Sequence, residues 1–148
     1  MQDILKREDI LLGLASESLE DVIHRAGALL VRSGYVSEDY PASMLERERD
    51  FSTCMGLGIA MPHGMSEAKD SIKKCGIAVL QYPDGVVFGG EKVYLVIAVA
   101  GVACEHIEIL AQLSQVLEDE AIRTRLYYTS SVDFVYNSLK FRNSDSTG

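Results

Sequence analysis

The chain is 148 residues long and 47% apolar, the size and composition of one globular domain with a core of its own. That apolar content excludes an intrinsically disordered chain, and three cysteines are too few for a disulfide-stapled miniprotein. Acidic residues outnumber basic ones 22 to 14, for a net charge of −8, which argues against non-specific binding to nucleic acid.

Cys54, Cys75 and Cys104 are widely spaced, with no C-x-x-C among them, as expected for reduced thiols in a cytoplasmic protein. Charged residues interrupt the N-terminus (Asp3, Lys6, Arg7, Glu8, Asp9), so it has no apolar segment of the signal-peptide kind. The longest oily run, Tyr94 to Cys104, is far short of the ~20 residues needed to span a bilayer. The expectation is a cytoplasmic domain with no membrane insertion.

Apolar residues at Leu19, Val22, Ile23, Ala26, Leu29 and Leu30 have helical spacing, with Ser18 as N-cap and Gly34 as stop. A second helix is predicted after Ser37, with Pro41 in its first turn and a body of strong helix formers from Met44 to Arg49. Gly56-Leu57-Gly58 then punctuates the chain. Ile59 to Met61 reads as a short extended segment ending in a Pro62-His63-Gly64 turn. Strands are predicted at Cys75–Gln81, Val86–Phe88 and Val93–Ala100, with Pro83-Asp84-Gly85 as a hairpin turn between the first two. The last third is helical: Ile107, Leu110, Ser114 and Leu117 share a face, Asp119 caps a shorter helix, and Ser130 with Asp133 opens a final one. Helices first, strands in the middle and helices last predict an α/β single domain, a mixed central β-sheet flanked by helices on both faces. The domain is expected over residues 1–142, with a frayed polar tail at 143–148.

There are three histidines. His24 falls off the apolar stripe of its helix and reads as a solvated surface residue. His63 follows a short strand, and His106 follows another at the start of a helix, where N–H groups and the helix dipole favour anions and a neutral ring. Three chemistries suit such a pair. Metal binding could recruit Cys104 or Glu105, although the spacing matches no known ligand set. A Cys104 nucleophile paired with histidine has no supporting local signature. Phosphoryl transfer to a neutral histidine needs a free ring nitrogen, helix-end N–H groups and a cation, which Arg47 or Arg49 could supply.

Gly58-Ile59-Ala60-Met61-Pro62-His63-Gly64 closely resembles the phosphorylation-site signature of the fructose/mannitol class of enzyme IIA, the phosphocarriers of the bacterial phosphoenolpyruvate:sugar phosphotransferase system. The resemblance extends through Glu67-Ala68-Lys69-Asp70, the segment from Gln81 to Phe88, Glu105-His106-Ile107 and Leu117 to Glu120. Gly34-Tyr35-Val36 and Met44-Leu45-Glu46-Arg47-Glu48 are most similar to the mannitol branch.

The resemblance implies that His63 accepts the phosphoryl group, as a tele (Nε2) phosphohistidine. It implies that His106 donates a hydrogen bond to that group and that Arg47 stabilises its charge. It further implies phospho-HPr as donor, a cysteine of the cognate enzyme IIB as acceptor, the membrane enzyme IIC as an indirect partner, and uptake of mannitol or a related polyol, with no cofactor and no metal. The alternative within the resemblance is a nitrogen-type regulatory module whose phosphorylation at His63 controls partner binding. The chain carries no IIB or IIC segment, as expected of a free-standing IIA or a piece of a longer transporter.

Overall fold

In a computed structural model, which describes residues 4–101 and 103–140, the sheet is built around one long antiparallel hairpin. Its strands are β4 (Gly76–Phe88) and β5 (Glu91–Ala100). Along Gly76–Gln81 and Leu95–Ala100, successive side chains alternate between two separate cores. Ala78, Leu80, Val96 and Ala98 face one core, while Ile77, Val79, Leu95, Ile97 and Val99 face the other. Both strands are therefore apolar at nearly every position, because both faces are covered.

Three short strands complete the sheet: β1 (Ile10–Leu11), β2 (Cys54–Gly56) and β3 (Ile59–Ala60). The spatial order is β1-β4-β5-β3-β2, with β1 parallel to β4, β3 parallel to β5 and β2 antiparallel to β3. The sheet is mixed, as expected. Its first face is covered by α1 (Leu19–Arg32) and α2 (Tyr40–Asp50), the second by α3 (Ala103–Leu117), α4 (Glu120–Tyr128) and α5 (Val132–Leu139).

Most helix ends fall where the capping chemistry puts them. Ser18 Oγ accepts from Asp21 N at the start of α1, and Asp119 Oδ1 accepts from Ile122 N at the start of α4. The α5 cap is Ser131 rather than Ser130: its Oγ accepts from Phe134 N at 3.1 Å. His24 is exposed on α1. The expected polar tail at 143–148 and the side chain of Ile107 lie outside the described residues.

One prediction is corrected. Pro83-Asp84-Gly85 does not reverse the chain, because Gln81 pairs with Leu95 and Val86 pairs with Val93 of the same neighbouring strand. Residues 82–85 thus oppose Tyr94 alone, as a bulge within β4. Turn chemistry and bulge chemistry coincide here, since both use a residue without a ladder N–H and a glycine at positive φ, 84° at Gly85. The reversal comes at Gly89 and Gly90, whose φ values of 57° and 84° match the backbone of a two-residue hairpin turn.

Gln81 ties this sheet to its surroundings while only 1% exposed. Its Oε1 accepts from Gly13 N, and its Nε2 donates to the Leu126 and Thr129 carbonyls, each at 2.9 Å. Gln81→Leu keeps the volume but strips three backbone groups of their partner. It should lower unfolding stability by about 3 kcal/mol, seen as a lower urea midpoint with an unchanged slope.

Candidate active site

The segment carrying His63 leaves the C-terminal end of β3, and α3 begins just beyond the C-terminal end of its parallel neighbour β5. Loops beyond the carboxyl ends of parallel strands are where α/β sheets present reactive groups on a rigid base. Here the backbone on both sides of His63 is pinned. Met61 N donates to Thr53 O, Val99 N to Pro62 O, Gly64 N to the Tyr40 hydroxyl and Met65 N to Ser43 Oγ, at 2.8–3.1 Å.

Two of those acceptors stand on α2. Tyr40, Ser43 and Arg47 are spaced three and four residues apart and so lie on one side of the helix. Tyr40 is 2% exposed; its hydroxyl also donates to the Val99 carbonyl at 3.0 Å, joining α2, the His63 loop and β5. Gly64 is required by this closeness, since a Cβ there would lie 2.6 Å from Tyr40 Cε1.

The His63 ring is half-buried, and its Nδ1 lies 2.9 Å from the Met61 carbonyl oxygen. A carbonyl can only accept, so Nδ1 carries the proton and the lone pair of the neutral ring is on Nε2. Burial pushes the His63 pKa below the usual histidine value. The Met61 bond opposes that shift, Arg47's positive charge adds to it, and Glu48's negative charge opposes it. Arg47 is therefore close enough for its charge to be felt at the ring. Its Nη1 donates to the Phe51 carbonyl at 2.7 Å, just past the end of α2. Arg49 turns elsewhere and pairs with Glu20 of α1 at 3.1 Å.

Of the residues singled out in the sequence, Arg47 lies close enough to act electrostatically on His63, whereas Arg49 pairs with Glu20 and His24 is exposed on α1. Position 106 falls in the first turn of α3, at the helix N-terminus foreseen for it. The side chains of His106, Cys104 and Glu105 lie outside the described residues. Sequence reasoning missed Tyr40, Ser43, Glu48 and Thr53, which hold the loop. A signal was available for Glu48: Tyr40, Met44 and Glu48 recur every four residues and are the buried residues of α2.

The ring can therefore act at neutral pH as an uncharged nucleophile through Nε2, with a guanidinium nearby for an anionic group. No helix among the described residues is long and apolar enough to cross a membrane.

The lowered His63 pKa has a sign that can be checked. The unfolded chain binds more protons than the folded one just below the usual histidine value, so His63's contribution to stability is complete above pH ~6.5 and falls as the pH drops. A ring-proton NMR titration should find the His63 midpoint below the usual histidine value. The His63 ring should remain in the Nδ1–H form at pH 7.5.

Comparison with known proteins gives this arrangement a family. Residues 3–141 match the family described as "Phosphoenolpyruvate-dependent sugar phosphotransferase system, EIIA 2". The "PTS system mannitol-specific EIICBA component" of Escherichia coli (strain K12) is 43% identical over 141 residues, 93% of this chain but only 22% of that protein. The chain thus spans about a fifth of that relative. The "Mannitol-specific phosphotransferase enzyme IIA component" of Geobacillus stearothermophilus is 45% identical over 117 residues, covering 78% of this chain and 81% of that protein. The solved complex of enzyme IIAMTL with phosphorylated enzyme IIBMTL from Escherichia coli contains a chain of the same fold. It has a TM-score of 0.86 and 41% identity, covering 91% of this chain and 97% of that one. With a match over nearly its whole length and the expected mixed sheet between two helical layers, the chain belongs to the EIIA 2 family of the phosphoenolpyruvate-dependent sugar phosphotransferase system and is a phosphotransferase component.

Proposed function

We propose that the chain is the phosphocarrier of a mannitol-type system, taking a phosphoryl group from phospho-HPr on His63 and passing it to a cysteine of enzyme IIB. The observation that carries the reading is the Nδ1–Met61 bond, which commits the nucleophilic lone pair to Nε2 beside Arg47. The mannitol relatives and the IIA–IIB complex above support the sugar class and the acceptor. Membrane enzyme IIC enters only downstream of IIB.

In the first step the Nε2 lone pair attacks phosphorus, and the Nε2–P bond forms as the donor's N–P bond breaks. The His63 ring takes up positive character, which the Nδ1–H bond to the Met61 carbonyl spreads toward the backbone. In the second, a IIB thiolate attacks phosphorus and the Nε2–P bond breaks. Its electron pair returns to His63, leaving the ring neutral with Nδ1–H still in place. Neither step requires a cofactor or metal. Arg47 leaves the Phe51 carbonyl to meet the phosphoryl oxygens, and His106, at the start of α3, donates a further hydrogen bond to them.

Incubation with phosphoenolpyruvate, enzyme I and HPr, followed by intact-mass measurement, should reveal one phosphoryl adduct that a mannitol-type IIB discharges. His63→Ala should remain folded and take up no adduct; a fully phosphorylated His63→Ala protein overturns the reading.

Arg47→Ala should slow transfer by about a hundredfold, the ~3 kcal/mol typical of losing one pre-organised charge donor. Arg49→Ala, which breaks only the surface pair with Glu20, should stay close to wild type in the same rapid-quench assay.

A further inference from the structure

We propose that Glu48 is a positioning residue for this reaction: its buried carboxylate holds the chain of bonds that orients the His63 ring, and its charge favours the positive character the ring acquires as the N–P bond forms. The inference rests on the phosphocarrier reading.

Glu48 follows Arg47 on α2, about 100° further round the helix, and is 5% exposed. Both of its oxygens are engaged by one residue: Thr53 N donates to Oε2 at 2.6 Å and Thr53 Oγ1 donates to Oε1 at 2.7 Å. Thr53, itself 8% exposed, accepts Met61 N on its carbonyl at 3.1 Å. Met61 accepts His63 Nδ1–H on its own carbonyl at 2.9 Å. The path from Glu48 to the reacting ring is thus three hydrogen-bonded links, every one buried or half-buried.

The location is a costly one for fold stability alone. Among the described residues Glu48 has no ion pair, and it lies in the last turns of α2, where the helix dipole disfavours negative charge. The stripe it continues, Tyr40 and Met44, is a core face that a leucine would suit. Its charge nevertheless reaches the site, where it opposes both burial and Arg47 by favouring the protonated ring. Arg47 and Glu48 therefore divide the work: one charge acts on the phosphoryl oxygens, the other on the ring that carries the phosphorus.

Two substitutions separate bond geometry from charge. In Glu48→Gln the amide oxygen can accept Thr53 N–H and the amide nitrogen can donate to the Thr53 hydroxyl, so the links survive without the charge. The expected result is a His63 ring still in the Nδ1–H form by nitrogen NMR, a midpoint moved to lower pH, and a severalfold slower uptake of phosphate from HPr. Glu48→Ala breaks the links and should give a mixture of ring tautomers with uptake slowed by about tenfold or more. A folded Glu48→Ala protein with wild-type tautomer and rate overturns the proposal. If that variant does not fold, a Glu48→Gln protein with unchanged titration and unchanged rate overturns it instead. Tautomer and titration are read on unphosphorylated protein, so a wild-type chain that HPr does not phosphorylate refutes the phosphocarrier reading and is distinguished from a failure of this one.

Discussion

Strands β4 and β5 pair along almost their full length, and the alternation of their side chains supplies the apolar half of two cores at once. Everything else is placed relative to that ladder. The α1–α2 layer packs on one face and the α3–α5 layer on the other, and β3 finds its position only by pairing in parallel with β5. Because β3 and β5 point the same way, the segment after one and the helix after the other emerge at the same end of the sheet. The site is a consequence of strand direction before it is a consequence of any side chain.

On that base the His63 loop is held by hydrogen bonds from α2, from β5 and from the backbone at Thr53. Tyr40 joins the loop to α2 and β5, Ser43 holds it one turn further along α2, and Glu48 is linked to it through Thr53. Such anchoring suits the proposed nucleophile, which must be exposed at Nε2 and fixed at Nδ1. A ring free to rotate would lose the Met61 bond and present either nitrogen. Partial burial adds the remaining condition, since it keeps the ring uncharged at neutral pH.

Local chemistry was readable in the sequence where it acts within a few residues. Ser18 and Asp119 cap their helices as their types suggest, and Pro41 stands in the first turn of α2. Three features escaped because their cause is non-local. Strands β1 and β2 are too short to carry a period and exist only through their partners. The Pro83–Gly85 segment has the residues of a turn, but the long β5 strand opposite turns it into a bulge. Glu48 looked like one more charge in a Glu/Arg-rich helix, and only the path of the chain at Thr53 gives it a role. For the site, the strand end and the Pro62-His63-Gly64 turn singled out His63 and the family resemblance gave it an expected role; its tautomer and its anchors are visible only in the folded chain.

The edges of the sheet set the manner in which the molecule meets others. β1 and β2 span only Ile10–Leu11 and Cys54–Gly56, so the outermost strands present only short rows of amides. A foreign strand added to β1 or β2 would gain few ladder bonds. Contacts made at those two strands depend on side-chain surfaces, whose lifetimes are tuned one residue at a time. A contact built from side chains can be strengthened or weakened by a single substitution, whereas a zipped ladder comes and goes as a unit.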